Sequence, residues 1–164
     1  DIVQEEERPD KSIKTLSSRR IIPIHNTLID LGFLDFLQIL KKKHPKRERI
    51  FEELRYIGGS YNKNVSKFWN VRYLPKLGLK TSKKNFHSLR HTVSDHLKHK
   101  GVEPHLVKEL LGHSSGEGEW DRYSKNYEPE IMFNKCIKRI VYKTSQNSSV
   151  DFRRLKVDWG KIVN

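Results

Sequence analysis

Residues 85–97, with the sequence NFHSLRHTVSDHL, carry the side chains in this chain best suited to bind a charged group. They include three histidines and one arginine, although histidine is not a favoured helix residue. Because successive helix residues turn by about 100°, an apolar stripe is predicted at Phe86, Leu89, Val93 and Leu97. The polar face beside it carries His87, Arg90, His91 and Ser94. An arginine at the edge of a core needs an anionic partner, which is either a carboxylate of the protein or an external phosphate.

Two other interpretations of this cluster require no phosphate. A His-x-x-Arg sequence also occurs at the capped start of a helix, where its polar groups bind other groups of the protein and no ligand. His87 and His91 are four residues apart, which is a spacing found in helical metal sites. No glutamate follows His87, however, and no Cys or His pair has ligand spacing, so we predict neither a metal nor another cofactor.

The charge of the chain indicates a polyanionic partner. Its 164 residues include 33 Lys+Arg against 20 Asp+Glu, which gives a formal net charge of +13. Such a surface attracts polyanions, and nucleic acid is the first candidate. No apolar run approaches the about 20 residues needed to span a bilayer, and the opening residues, DIVQEEERPDKS, do not form a signal sequence. With Cys136 as the single cysteine, the sequence predicts a cytoplasmic protein without a disulfide and without membrane contact.

A mainly helical fold is predicted to position these side chains. The segment KSIKTLSSRRIIPIH, residues 11–25, is typical of a β-hairpin or a pair of short strands around Ser-Ser-Arg-Arg, with Pro23 at an edge position. Helical periodicity predicts helices over residues 26–44, 60–79, 86–100 and 104–111, and from 129 to 141. The predicted fold class is therefore mainly α with a small β-hairpin (α+β).

A polar stretch, TSQNSS, separates this region from the end of the chain. We predict one domain over residues 1–145 and a tail over residues 146–164. The tail contains Phe152, Leu155, Val157 and Trp159, so it is too apolar to be a solvated linker. It is expected to dock either on its own domain or on a neighbouring protomer.

Further residues that can act on a phosphate follow along the chain. Lys14 lies in the predicted hairpin, and His113 lies in ELLGHSS. Tyr123 comes ten residues after His113, in WDRYSKNY. Together with FHSLRHT, this order of Lys, His-x-x-Arg, Leu-Gly-His and Tyr resembles the catalytic domain of the tyrosine recombinases, the phage-integrase family. The segment ending in IIPIH is similar to the strand–turn–strand segment of that family, and the resemblance covers roughly residues 10–141.

The resemblance implies a site-specific recombinase (integrase) that cuts and rejoins double-stranded DNA through a 3′-phosphotyrosyl intermediate. Tyr123 would be the nucleophile, and Lys14 would protonate the leaving 5′ oxygen. Arg90 and His113 would bind the scissile phosphate, and His87 would contact the same phosphate or act as acid or base. The family also implies no metal or cofactor, self-association of the full-length protein as a tetramer on DNA, and a bacterial or phage origin, in a prophage or mobile element.

Alternatives exist for two of these residues and for the function. Tyr127 is the rival of Tyr123, because SSGEGEW is one residue longer than the common family pattern, and Lys11 is the rival of Lys14. A non-catalytic basic DNA-binding module, or a decayed integrase fragment, would share the charge without the chemistry. A type IB topoisomerase-like enzyme would share the chemistry and differ in its outcome.

One arginine of the family's active site has no match in this chain. In the family it lies in a helix ahead of the hairpin, before an Asp-Ile-like junction, and this chain opens with DIV. Arg8 lies in an acidic, turn-like stretch and does not fit that pattern. We therefore expect an N-terminally truncated catalytic domain that is inactive on its own.

Overall fold

Helices make up most of the computed structural model, which describes residues 20–113, 126–143, 151, 152, 155 and 157–163. In chain order its α-helices are α1 (Asn26–Asp30), α2 (Phe33–Lys43), α3 (Asn62–Phe68), α4 (Leu74–Lys76), α5 (Ser88–His99), α6 (Pro104–Leu111), α7 (Pro129–Lys135) and α8 (Trp159–Ile162). A π-helical turn (Trp69–Tyr73) joins α3 to α4, and a 3₁₀ turn (Ile137–Arg139) follows α7. Within the described residues no helix is both long and apolar enough to cross a membrane. The predicted mainly α class is confirmed.

The predicted β-hairpin is not supported by the described residues. Residues 11–19 lie outside them, Arg20 is an isolated bridge position, and residues 21–25 form no strand. Pro23 has no N–H to donate to a partner strand. The ring of His25 binds two helical segments instead. Its Nδ1 accepts a hydrogen bond from the Thr27 N–H at 3.0 Å, and its Nε2 lies 3.0 Å from the carbonyl oxygen of Ile140. This segment therefore caps α1 and reaches the end of the 3₁₀ turn.

The single helix predicted over residues 26–44 is broken at Gly32 into α1 and α2. Leucines at helical spacing continue through both helices, so their pattern does not reveal the break. Gly32 has a φ of 81°, in the left-handed region that glycine adopts without a steric penalty. A Cβ at this position would lie 2.8 Å from Nε1 of Trp159, so the break also makes room for the tail.

The helix predicted over residues 60–79 is helical from Asn62 to Lys76, but it is not a uniform α-helix. Pro75 has no N–H to donate, and a proline ring within a helix clashes with the carbonyl group one turn earlier. The π-helical turn directly before α4 changes the hydrogen-bond pattern at this point. The Trp69 ring centroid lies 6.0 Å from that of Phe86, which joins this segment to the start of α5.

The main core lies between α5, α6, α7 and the 3₁₀ turn. Its buried side chains are Leu97, Val102, Leu106, Val107, Leu110, Leu111, Met132, Cys136 and Ile137. Leu89, predicted on the buried stripe of α5, is 45% exposed, because α5 packs mainly through Val93 and the fully buried Leu97. The helix predicted up to residue 141 ends at Lys135, and Val141 is exposed.

A second, smaller core joins the end of the chain to α2. Phe36 and Leu40 are buried against Val163, and Trp159 packs beside them. Lys43 Nζ donates to the Val163 carbonyl oxygen at 2.7 Å. Of the two tail placements considered from the sequence, the single chain shows the one on its own domain.

Candidate functional site

Arg90 and His113 meet although 23 residues separate them in the sequence. Nε of Arg90 donates to Nε2 of His113 at 3.2 Å, and Nη2 of Arg90 donates to the carbonyl oxygen of Leu111. Arg90 lies in the first turn of α5 and is half-buried, whereas His113 is exposed just beyond α6. Because α5 and α6 pack together in the main core, two predicted site residues come to one place.

The backbone at the end of α6 determines where His113 lies. Gly112 has φ 66° and ψ 39°, the left-handed conformation that commonly follows a helix. The Gly112 N–H donates to the Glu109 carbonyl oxygen at 2.9 Å, and the His113 N–H donates to that of Lys108 at 2.9 Å. This pair of bonds is a Schellman motif, which turns the chain so that His113 contacts the first turn of α5.

His87 and His91 extend this cluster along α5. His87 precedes the first residue of the helix, and its ring centroid lies 4.8 Å from that of His91 at an interplanar angle of 82°. Both side chains are exposed. In the part of the chain that the structure describes, no three His, Cys, Asp or Glu side chains are arranged to hold a metal ion.

The cluster is electropositive. The pKa of His113 lies below its usual range; the causes, largest first, are loss of hydration and the positive charges of Arg90, His87, His91 and Arg20. A neutral imidazole agrees with Nε2 of His113 accepting a hydrogen bond from Arg90. Arg90 forms no ion pair with a carboxylate of the described residues, so an anion from outside would find its guanidinium available.

Arg20 belongs to the same cluster, and sequence reasoning did not find it. Its Nε donates to the Leu110 carbonyl oxygen at 3.0 Å, across 90 residues of sequence. Burial and, next, the charge of Arg90 lower the pKa of the Arg20 guanidinium. In the sequence, Arg20 stands beside Arg19 in a predicted turn, and no local signal distinguishes the two arginines.

Asn70 is a second residue that the sequence did not single out. It lies in the π-helical turn, and its Oδ1 accepts the Phe86 N–H at 2.9 Å. Its Nδ2 donates to Oγ of Ser66 at 3.2 Å, which fixes the orientation of the amide. Asn70 therefore holds the backbone that leads into His87 and the first turn of α5.

The remaining predicted site residues are only partly described. Lys14, its rival Lys11, and Tyr123 lie outside the described residues. Tyr127 is described: its backbone N–H donates to Oε1 of Glu109 at 2.9 Å, and its ring stacks on His105 with 5.6 Å between centroids. Tyr127 is thus engaged at both ends of α6: its ring contacts the first turn, and its backbone N–H binds Glu109 in the last turn.

Comparison with known proteins gives two matches. A sequence profile described as the phage integrase family matches residues 11–130. Among curated proteins, tyrosine recombinase XerC of Actinobacillus succinogenes is 32% identical over 103 residues, which cover 60% of this chain and 32% of that protein. The chain thus spans about a third of the length of the curated relative that it matches. No solved structure matches it at a significant level.

Proposed function

The chain belongs to the phage integrase family, and from this membership we propose that it forms the DNA-cutting and rejoining part of a site-specific recombinase. The observation that carries the proposal is the contact between Arg90 and His113, at 3.2 Å, within a cluster of positive charge. No carboxylate of the described residues neutralises Arg90. A DNA phosphate supplies the missing negative charge.

The proposed reaction is an exchange of phosphodiester bonds. His87, acting as a base, takes the proton of the Tyr123 hydroxyl as the oxygen attacks the phosphorus. The bond from phosphorus to the 5′ oxygen breaks, and a 3′-phosphotyrosyl ester forms. The leaving 5′ oxygen takes a proton, which Lys14 provides. A 5′ hydroxyl then attacks the ester, releases the tyrosine and rejoins the strand. No nucleotide is consumed, because the phosphotyrosyl ester conserves the energy of the phosphodiester bond that was broken.

Arg90, His113 and His87 stabilise the charge that develops on the non-bridging oxygens. A guanidinium offers several N–H donors in a fixed plane, which suits a phosphate better than a point charge does. The neutral His113 accepts from Arg90 in the free protein, so it can exchange that bond for one to phosphate when it becomes protonated. His87 and His91 add donors on the exposed side of the cluster.

The surroundings of Tyr127 support Tyr123 as the nucleophile. The Tyr127 ring stacks on His105, six residues before Leu111 on α6. At about 1.5 Å of rise per residue, these positions are about 9 Å apart along the helix. Tyr127 would have to leave both His105 and Glu109 to reach a phosphate beside Arg90.

Covalent trapping tests the proposal. Duplexes selected from a random pool by the immobilised protein provide the DNA, and a nick close to the cleavage point prevents rejoining. We expect the full-length protein that contains this chain to form a covalent DNA adduct, Tyr123→Phe to abolish it with little loss of binding, and Tyr127→Phe to retain it. Loss of the adduct in Tyr127→Phe alone would reverse the assignment. DNA binding by the full-length protein with no adduct from any variant would instead favour the non-catalytic module.

A further inference from the structure

The four carbonyl groups at the end of α6 all have hydrogen-bond donors, and arginines supply two of them. The last four carbonyls of a helix lack partners within the helix. The Schellman bonds satisfy Lys108 and Glu109. Arg20 Nε donates to the Leu110 oxygen at 3.0 Å, and Arg90 donates to the Leu111 oxygen. Two guanidinium groups from distant parts of the chain therefore bind the consecutive carbonyls of Leu110 and Leu111, immediately before Gly112.

Gly112 allows Arg20 to approach this helix end. A Cβ at Gly112 would overlap the Arg20 guanidinium, with Nη1 and Cζ as the nearest atoms. The same glycine has a φ of 66°. Absence of a side chain thus serves two purposes here: it permits the left-handed turn, and it leaves space for the planar group that caps Leu110.

The position of Arg20 places like charges close together. Arg20 and Arg90 donate to neighbouring carbonyls, and the positive charge of Arg90 acts on Arg20. Such repulsion opposes folding unless hydrogen bonds or an anion offset it. The two carbonyl oxygens offset it in part, and their partial negative charge belongs to the C-terminal end of the α6 dipole.

We propose that Arg20 is a positioning residue, which fixes the end of α6 and through it holds His113 against Arg90. It acts on the reaction through His113 and does not touch the phosphate itself. This role rests on the recombinase function proposed above. The hydrogen bond to Leu110 is the part of the role that can be tested without DNA.

The first test measures the helix end in the free protein. Arg20→Met removes both the charge and the Nε donor, Arg20→Lys keeps the charge, and Arg55→Met is the control, because Arg55 is an exposed arginine on a different segment. In Arg20→Met, amide exchange at Gly112 and His113 should accelerate about tenfold, the effect of losing one hydrogen bond. Arg20→Lys should give an intermediate acceleration and Arg55→Met none. Unchanged exchange at Leu40, in the second core, confirms that each variant is folded.

The second test separates positioning from DNA binding. With trapped DNA adducts of the full-length protein that contains this chain, Arg20→Met should lower the rate at saturating DNA about tenfold and leave the half-saturating DNA concentration within about twofold of the unmodified protein. The His113 pKa, followed by NMR, should rise in Arg20→Met and stay unchanged in Arg55→Met.

Two results would overturn this role: wild-type exchange at Gly112 and His113 in Arg20→Met, or a slower adduct rate explained wholly by weaker DNA binding. Failure of the recombinase proposal has a different signature, since the unmodified full-length protein would then form no adduct while the amide-exchange difference between the variants persisted.

Discussion

Trp159 donates its indole N–H to the Leu31 carbonyl oxygen at 2.6 Å, which attaches the last helix to the break between α1 and α2. The Trp159 ring also lies 5.1 Å from that of Phe36. This contact converts an apolar tail into part of the domain's second core, because Phe36 is itself buried there.

Trp159→Ala should therefore destabilise the domain by about 2 kcal/mol, below the usual range for a fully buried tryptophan because this ring is half-buried. Urea unfolding measures the loss, and Ile162→Ala, at a side chain 60% exposed on the same helix, should cost less than about 0.5 kcal/mol. The mass in solution should stay the same. Conversion of a dimer to a monomer by Trp159→Ala would show instead that the tail docks on a neighbouring protomer.

Cys136 should be unreactive in the native protein. Its side chain is fully buried between α7 and the 3₁₀ turn, and burial raises the pKa of its thiol to about 11. At pH 8 the thiolate fraction of Cys136 is then about a hundredfold below that of an ordinary exposed cysteine. Because only the thiolate reacts, Cys136 should react correspondingly slowly. Ellman's reagent should label Cys136 slowly in buffer and rapidly in urea. Equally rapid labelling in both conditions would mean that this core opens freely.

The pKa of His113, lowered by loss of hydration and by nearby positive charges, determines how its ring responds to pH and to anions. His113 is neutral at neutral pH and becomes protonated only as the pH falls below its usual range, because loss of hydration and the charge of Arg90 oppose the imidazolium. The Arg90–His113 bond, which needs a neutral acceptor, is present above that range and is lost as the pH falls through the lowered pKa.

Inorganic phosphate should raise the pKa of His113, since a bound anion favours the imidazolium, and phosphate affinity should in turn increase as the pH falls. NMR titration of the His113 ring with and without phosphate measures both effects. Arg90→Gln should raise the pKa without phosphate and reduce the phosphate response. The ring signals of His99, exposed in the last turn of α5, should not respond to phosphate. A phosphate response at His99 equal to that at His113 would indicate general ionic binding.

Local patterns predicted α6 and its turn closely. Pro104 begins the helix and Gly112 ends it, as expected from a fixed proline φ and a glycine in the left-handed region. The cluster of His87 and Arg90 at the start of α5 also follows from the spacing of its residues alone.

Contacts between distant segments were not predictable in this way. Trp159 packs against the break at Gly32, and Arg20 binds the carbonyl of Leu110, 90 residues away. Nothing in the sequence around Gly32 or Arg20 indicates that Trp159 or Leu110 is its partner. The β-hairpin expectation relied on β-branched residues around Ser-Ser-Arg-Arg, whereas Pro23 and the capping role of His25 favour an extended connection at residues 21–25. The roles of Lys14 and Tyr123 stay predictions.

Gly112 and Gly101 form a matched pair that isolates the contribution of Arg20. Both follow a helix with nearly equal φ angles, 66° and 68°. A Cβ at Gly101 would meet nothing within 4 Å, whereas at Gly112 it would overlap the Arg20 guanidinium. An alanine in the left-handed region costs about 1–2 kcal/mol at either place. The backbone cost is therefore common to both substitutions, and the difference reports the Arg20 contact.

We expect Gly112→Ala to destabilise the protein by about 1 kcal/mol more than Gly101→Ala, the value of the displaced hydrogen bond to Leu110. Urea unfolding gives this difference. In an Arg20→Met background the guanidinium and its hydrogen bond are both absent, so the two alanine substitutions should then cost nearly the same. An excess cost at Gly112 that persists without the guanidinium would mean that the backbone at His113, and not Arg20, makes this position intolerant of a side chain.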